Sequence, residues 1–220
     1  MLLDVVGSLL PAALGIALSP FPIVGVILVV TGPRARTSGP TFVLGWLVGL
    51  SALTTVAVGL GGLLGGGEPA RWASWLRILL GVTLIALGVR KIGRRPRAED
   101  EPQQPAWMTG LAEASPGRAA LLGFGLAALN PKNVAFALAS ASVIGQVGGP
   151  AATIVVEGAI FVLLASATVL GVLLVSLAGG SRAASALGGL QQVLLTHHAV
   201  IVAVVLMLIG AKILGDGLAG

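Results

Sequence analysis

Long runs of apolar residues, uninterrupted by charge, leave this chain few ways to fold. Six can be drawn, at about 3–31, 39–66, 70–93, 118–145, 150–178 and 188–215. Each reaches the roughly 20 residues that a helix needs to cross a hydrocarbon core. Composition points the same way: 56% of the residues are hydrophobic and only 10% charged, against about 25% charged in an ordinary soluble domain. The mean hydropathy of +1.02 is therefore concentrated in stretches of membrane length. The expected fold class is an all-α integral membrane protein with six transmembrane helices.

The basic residues sit between these runs and set the topology. Arg34 and Arg36 follow the first run; Lys91, Arg94, Arg95 and Arg97 follow the third, with Arg118 beyond them, and Arg182 follows the fifth. Arg71, Arg77 and Lys212 fall on the other side. The positive-inside rule then places the chain in the cytoplasmic membrane with its N-terminus and C-terminus outside. The net charge of +5 is a topology signal of this kind and not a nucleic-acid footprint. With no cysteine, disulfides, thiolate metal sites and cysteine nucleophiles are excluded. Met1-Leu2-Leu3-Asp4 carries no basic segment and no small-residue cleavage site follows, so the first helix is expected to be retained.

The stretch 94–117 is the one long polar segment, with Glu99-Asp100-Glu101 followed by Pro102 and Pro105. It reads as a cytoplasmic linker between a first half, 1–93, and a second, 118–220. Trp107, Met108 and Leu111 could form a short interfacial helix within it, but a disordered linker is the plainer reading of the composition.

The two halves resemble each other. Leu18-Ser19-Pro20 matches Leu129-Asn130-Pro131, Gly39-Pro40 matches Gly149-Pro150, and Gly88-Val89-Arg90-Lys91-Ile92 is echoed by Gly210-Ala211-Lys212-Ile213. Three matches in the same order imply a 3+3 repeat. An odd number of spans per repeat inverts the second against the first, an architecture common among secondary transporters.

Ser19-Pro20-Phe21-Pro22 and Asn130-Pro131-Lys132-Asn133 lie well inside spans 1 and 4. Proline lacks an N–H and clashes with the carbonyl four residues back, so helices 1 and 4 are expected to be broken. Freed backbone groups are tolerated in hydrocarbon only inside protein or along a cavity. Breaks at matching depth in both repeats therefore point to a midplane binding site. The residues expected to form it are Ser19, Pro20, Pro22, Asn130, Pro131, Lys132 and Asn133. Lys132 would sit near the bilayer centre, where an ammonium group costs roughly 2.5–3.5 kcal/mol. It needs a partner, a cavity or a substrate anion. Glu157 is the one carboxylate deep within a span, and reads as its counter-charge or as a coupling group that carries protons.

Other polar residues invite plainer readings. His197 and His198 are adjacent, face different sides of a helix and lack metal-ligand spacing, so packing accounts for them. Ser51, Thr54, Thr55, Ser140, Ser142, Ser166 and Thr168 read as bonding backbone carbonyls or assisting helix packing. Gly45 and Gly49, at GxxxG spacing, allow close helix contact and leave a homodimer open. Trp46, Trp72, Trp75 and Trp107 read as interfacial anchors. No catalytic set, metal cluster, Walker or Rossmann glycine motif is present, which argues against an enzyme and calls for no cofactor.

Ala17-Leu18-Ser19-Pro20-Phe21-Pro22-Ile23, Thr31-Gly32-Pro33-Arg34-Ala35-Arg36 and Gly39-Pro40 through Gly45-Trp46 together resemble the GAP family, the sulfolipid- or peptidoglycolipid-addressing proteins. Asn130-Pro131-Lys132-Asn133 resembles the second-half signature of the wider LysE exporter superfamily. The likeness covers nearly the whole chain apart from 94–117. It implies export: small amino acids or cations in the LysE-like members, complex envelope lipids in the GAP branch. Ser-Pro-Phe-Pro departs from the first-half pattern of the amino-acid exporters, which weakens any transfer of their specificity. The expected function is a secondary exporter or translocator of cell-envelope lipids or glycolipids, with membrane lipids and a lipid or small-solute substrate as partners. The alternatives are an exporter of small amino acids or cations and a non-transporting accessory subunit of a lipid export system.

Overall fold

The computed structural model describes residues 2–63, 71–93, 110–144 and 150–196, together with single helical positions between 200 and 218. The named elements are all helices: α1 (Leu2–Ala17), α2 (Pro20–Thr31), α3 (Ala35–Leu63), α4 (Arg71–Gly93), α5 (Pro116–Ala128), α6 (Pro131–Ile144), α7 (Ala151–Ala165), α8 (Ala167–Ala178) and α9 (Gly180–Thr196). Trp107, His197, His198, Lys212, the acidic run 99–101 and the basic residues 94–97 lie outside the described residues, as do the side chains of Trp72 and Ser142.

Ala35–Leu60 of α3 is long and apolar enough to cross a bilayer by itself. Three further crossings are supplied by helix pairs if each is one span: α1 with α2, α5 with α6, and α7 with α8, bent by 59°, 58° and 59°. The protein is thus a helical membrane protein with up to four crossings among its described residues.

Two of these bends stand where proline requires them. Pro20 opens α2 and Pro131 opens α6, each at the first helical position, where a missing N–H leaves nothing unpaired. Pro11 and Pro40, by contrast, sit inside α1 and α3.

The third bend was not expected. The fifth apolar run, 150–178, reads as one helix but breaks at Ser166, without a proline. Ser166 donates its N–H to both Val162 O, at 3.0 Å, and Leu163 O, at 3.2 Å, tightening the last turn of α7. Its hydroxyl meanwhile accepts a 3.0 Å bond from Trp46 Nε1. That bond also corrects the reading of Trp46, which is fully buried and not an interfacial anchor; Trp75, at 72% exposure, stays compatible with one.

Two boundaries also differ. Helix α9 starts at Gly180, upstream of the run drawn at 188–215, after a turn in which Gly180 takes φ +53°, a left-handed conformation open to glycine. Its mixed polar and apolar composition hides such a helix from a hydropathy reading. The far end of the stretch 94–117 is packed: Leu111 and Ala114 are buried, and Ser38 Oγ donates to Ala114 O at 2.8 Å.

The chain divides into two compact units, one of Met1–Gly65 with Gln104–Gln191 and one of Gly66–Gln103 with Gln192–Gly220. In the first, α3 lies along α5. Their close contacts rise together along both helices, from Ser38 with Ala114 through Gly45 with Ala120 to Gly49 with Phe124 and Ala127, so the two run parallel. Small residues bring the backbones together: a Cβ on Gly45 would run into the Ala120 carbonyl, and one on Gly123 into the Phe42 carbonyl. The GxxxG spacing is thus used within the chain. In the second unit α4 runs antiparallel to the last helical stretch, Gly81 meeting Gly210 and Leu214 while Gly88 meets Ala203 and Met207.

The α3–α5 crossing makes a testable demand. Gly45→Ala places its Cβ on backbone atoms that cannot rotate away, and should lower stability by about 1–3 kcal/mol. Gly59→Ala, with nothing within 4 Å, should be neutral or gain up to about 1 kcal/mol. Thermal unfolding of the detergent-solubilised protein separates the two; equal midpoints would rule out so close a crossing.

Candidate functional site

A break in a helix exposes carbonyls that the next turn would have covered, and their partners define this site. At the first break Leu18 N still reaches Leu14 O, at 2.9 Å, but Ser19 N turns to Ile16 O, at 3.0 Å. That leaves Gly15 O, the usual acceptor for Ser19 N, without its helical donor. Ala17 O, the last carbonyl of α1, lies at the bend itself. Both acquire donors from the second half: Lys132 Nζ donates to Gly15 O, and Thr168 Oγ1 donates to Ala17 O at 2.6 Å.

The second break is repaired locally. Asn133 Nδ2 donates to Leu126 O at 3.1 Å and to Ala127 O at 2.9 Å, two carbonyls at the end of α5. Pro131 cannot serve Ala127 O, since it has no N–H. Asn130 caps the opposite end, its Oδ1 accepting from Lys132 N at 3.0 Å, a helix N-cap bond of the usual type.

Lys132 is therefore held at the meeting point of two broken helices. An ammonium in the first turn of α6 sits at the positive end of that helix, where it is disfavoured. Reaching across to Gly15 O moves it to the negative end of α1, and the Phe136 ring, with its centroid 5.8 Å from Nζ, adds a cation–π contact. Phe136 also packs on Gly15, where any Cβ would collide with the ring.

The remaining expected residues are distributed as follows. Ser19, Pro20 and Pro22 are buried at the start of α2, and Ser19 forms no side-chain cap bond. Pro131 is exposed and Asn130 half-buried. Asn133 and Glu157 are buried, at 0% and 2% exposure, yet Asn133 Oδ1 and Glu157 Oε2 have no hydrogen-bond partner. Glu157 lies on α7, which packs against α1, α3 and α6. It forms no ion pair with Lys132 among the described residues; the ammonium takes the carbonyl instead. The pairing expected from sequence is absent from this conformation.

Gly15, Phe136, Thr168 and the Trp46–Ser166 pair are the partners that sequence reading missed. Thr168 left a faint signal as a hydroxyl in an apolar run, and its expected role of bonding a backbone carbonyl is met, although the carbonyl is on another helix. Gly15 left none, being one glycine among many.

The capping scheme predicts unequal costs. Asn133→Leu exposes two carbonyls and should destabilise the protein by about 2–4 kcal/mol, whereas Ser140→Ala, which loses only the 2.9 Å bond to Ala137 O, should cost about 1 kcal/mol or less. Denaturation in mixed micelles measures both; a silent Asn133→Leu would mean the carbonyls are served some other way.

Against known families, the chain matches the family model described as SfLAP, Sap, sulfolipid-1-addressing protein, over residues 9–219. No curated protein and no solved structure matches it significantly.

Proposed function

The chain belongs to the sulfolipid-1-addressing protein family, and from that premise we propose that it translocates cell-envelope lipids or glycolipids across the cytoplasmic membrane. It does so as a LysE-like secondary exporter, without catalytic chemistry, by rocking two inverted three-helix repeats about a midplane site. The observation that carries this reading is the meeting of the two broken helices, with Lys132 Nζ on Gly15 O.

Reciprocal contacts support the inverted repeat. With Ser19 equated to Asn130, Gly15 corresponds to Leu126 and Gly25 to Phe136. Phe136 packs on Gly15, and Leu126 packs on Gly25, where a Cβ would lie 3.3 Å from Leu126 Cδ1. With Gly88 equated to Gly210, Gly81 corresponds to Ala203. A Cβ on Gly88 would lie 2.9 Å from Ala203 O, and one on Gly210 2.7 Å from Gly81 O. The parallel course of α3 and α5 supports a topology in which the 32–34 turn and the 94–117 linker share the cytoplasmic side and both termini lie outside.

In this mechanism Ser19, Pro20, Pro22, Asn130, Pro131, Lys132 and Asn133 form the substrate site. An anionic head group replaces Gly15 O as the acceptor for Lys132, which parts α1 from α6 and opens the site. Glu157, with an unpartnered carboxyl oxygen, couples the cycle by taking up a proton or another cation. A second reading, a non-transporting accessory subunit, is favoured by the same lysine: its ammonium already has a protein acceptor, so Lys132 would serve structure alone.

Proteoliposomes holding the purified chain and a tail-labelled anionic glycolipid separate the two. Transport predicts that the wild type speeds transbilayer movement, that Lys132→Ala slows it about tenfold or more, and that Lys132→Arg keeps part of it. Glu157→Gln should abolish its response to a proton gradient. If the wild-type protein gives no acceleration over empty liposomes under any gradient, the accessory reading takes its place.

A further inference from the structure

Among the described residues, two hydroxyls on α3 have no partner. Thr54 donates to Leu50 O at 2.8 Å, the bond a threonine in an apolar helix normally makes, but Ser51 and Thr55 form none among the described residues and are exposed. In a membrane-spanning helix a hydroxyl facing hydrocarbon without a partner is unfavourable. These three residues form one wall of a cavity of about 290 Å³ between α3 and α7. The facing wall includes Val155 and Val162, with Gly158 between them.

Depth and size select the occupant. Ser51 lies about 24 Å along α3 from Ala35, measured by the helical rise, so the groove lies in the half of the bilayer where α3 ends and α7 begins. With a hydrocarbon core about 30 Å thick, it reaches toward the head-group boundary there. The volume is at the lower limit for ligand sites, enough for part of a lipid and not for a whole one. A polar wall facing an aliphatic one suits the junction of a hydroxylated head group with its acyl chain.

We infer that the α3–α7 groove binds the hydroxyl-bearing head group of one glycolipid, on the leaflet opposite the 32–34 turn. Sugar hydroxyls bond Ser51, Thr54 and Thr55, and the first methylenes of the chain lie on Val155 and Val162. The remainder of the tail stays in the bilayer. This inference rests on the lipid reading above and deepens it: in the proposed topology the groove is an outer-leaflet subsite, separate from Lys132, where the lipid leaves the protein.

Gly158 provides the means of testing it. A Cβ there comes no nearer to its surroundings than 4.0 Å, at Thr54 Cγ2, so a larger side chain enters the groove and leaves the helix contacts in place. The full-length protein in nanodiscs is irradiated with glucosyl diacylglycerol bearing a diazirine on the first acyl methylenes, and with phosphatidylcholine carrying the same tag. Labelled residues are mapped by mass spectrometry. The expected result is saturable labelling of 51–58 and 154–162 by the glucosyl lipid, reduced about tenfold by Gly158→Leu. The Ser51→Ala/Thr55→Val double variant should lose the preference over phosphatidylcholine, also by about tenfold. Thermal unfolding verifies that both variants fold. Labelling spread evenly over the lipid-facing helices, or equal for the two lipids in the wild type, overturns the groove. Groove labelling without lipid movement in proteoliposomes leaves the groove standing and removes translocation; Lys132-dependent movement with an unlabelled groove does the reverse.

Discussion

Everything in the first compact unit depends on how carbonyls freed at proline breaks are satisfied where water is scarce. A broken helix in a bilayer is stable only if other parts of the protein supply donors, and here each donor is a specific side chain. Lys132 and Thr168 serve the end of α1, and Asn133 serves the end of α5. The first bend is thus a tertiary contact as much as a local kink. Lys132 does more than cap, because it carries the charge of one broken helix to the opposite pole of another. That single ammonium thereby links α1 to α6.

Glycine distribution gives the second level of order. The hydrophobic effect does little to associate helices already in lipid, so close packing has to serve. Gly45, Gly49 and Gly123 let α3 and α5 touch backbone to backbone, and Gly81, Gly88 and Gly210 do the same in the other unit. Contacts at Gly15 and Gly25 tie α1–α2 to α5–α6 in a reciprocal manner. Tight crossings of this kind slide or rock as rigid pairs more readily than they bend.

Much of the fold was legible because its strongest signals are compositional and covalent. Apolar runs announce membrane helices, and Pro20 and Pro131 announce breaks that occur where expected. What could not be read is what depends on distant neighbours. The bend at Ser166 has no mark of its own in the sequence; its hydroxyl meets a tryptophan 120 residues away, and that bond turned Trp46 from a supposed anchor into core. Lys132 and Glu157 were legible as unusual intramembrane charges, but their separation in this conformation was not, because a carbonyl exposed by a distant break is invisible in the sequence. Ser51 and Thr55 looked like routine helix hydroxyls; only the bonds they do not form distinguish them from Thr54.

The two proline breaks differ in where their caps are encoded. Asn133 lies 6 and 7 residues from the carbonyls it serves, so the second break is complete as soon as α5 and α6 exist. The first break draws on Lys132, 117 residues onward, and Thr168, 151 residues onward. At a synthesis rate of 5–20 residues per second, the end of α1 leaves the ribosome on the order of ten seconds or more before its last donor is made. During that interval its bare carbonyls are unsuited to lipid. Closure of the first break is therefore a late, whole-chain event, complete only once residues from the second half are made.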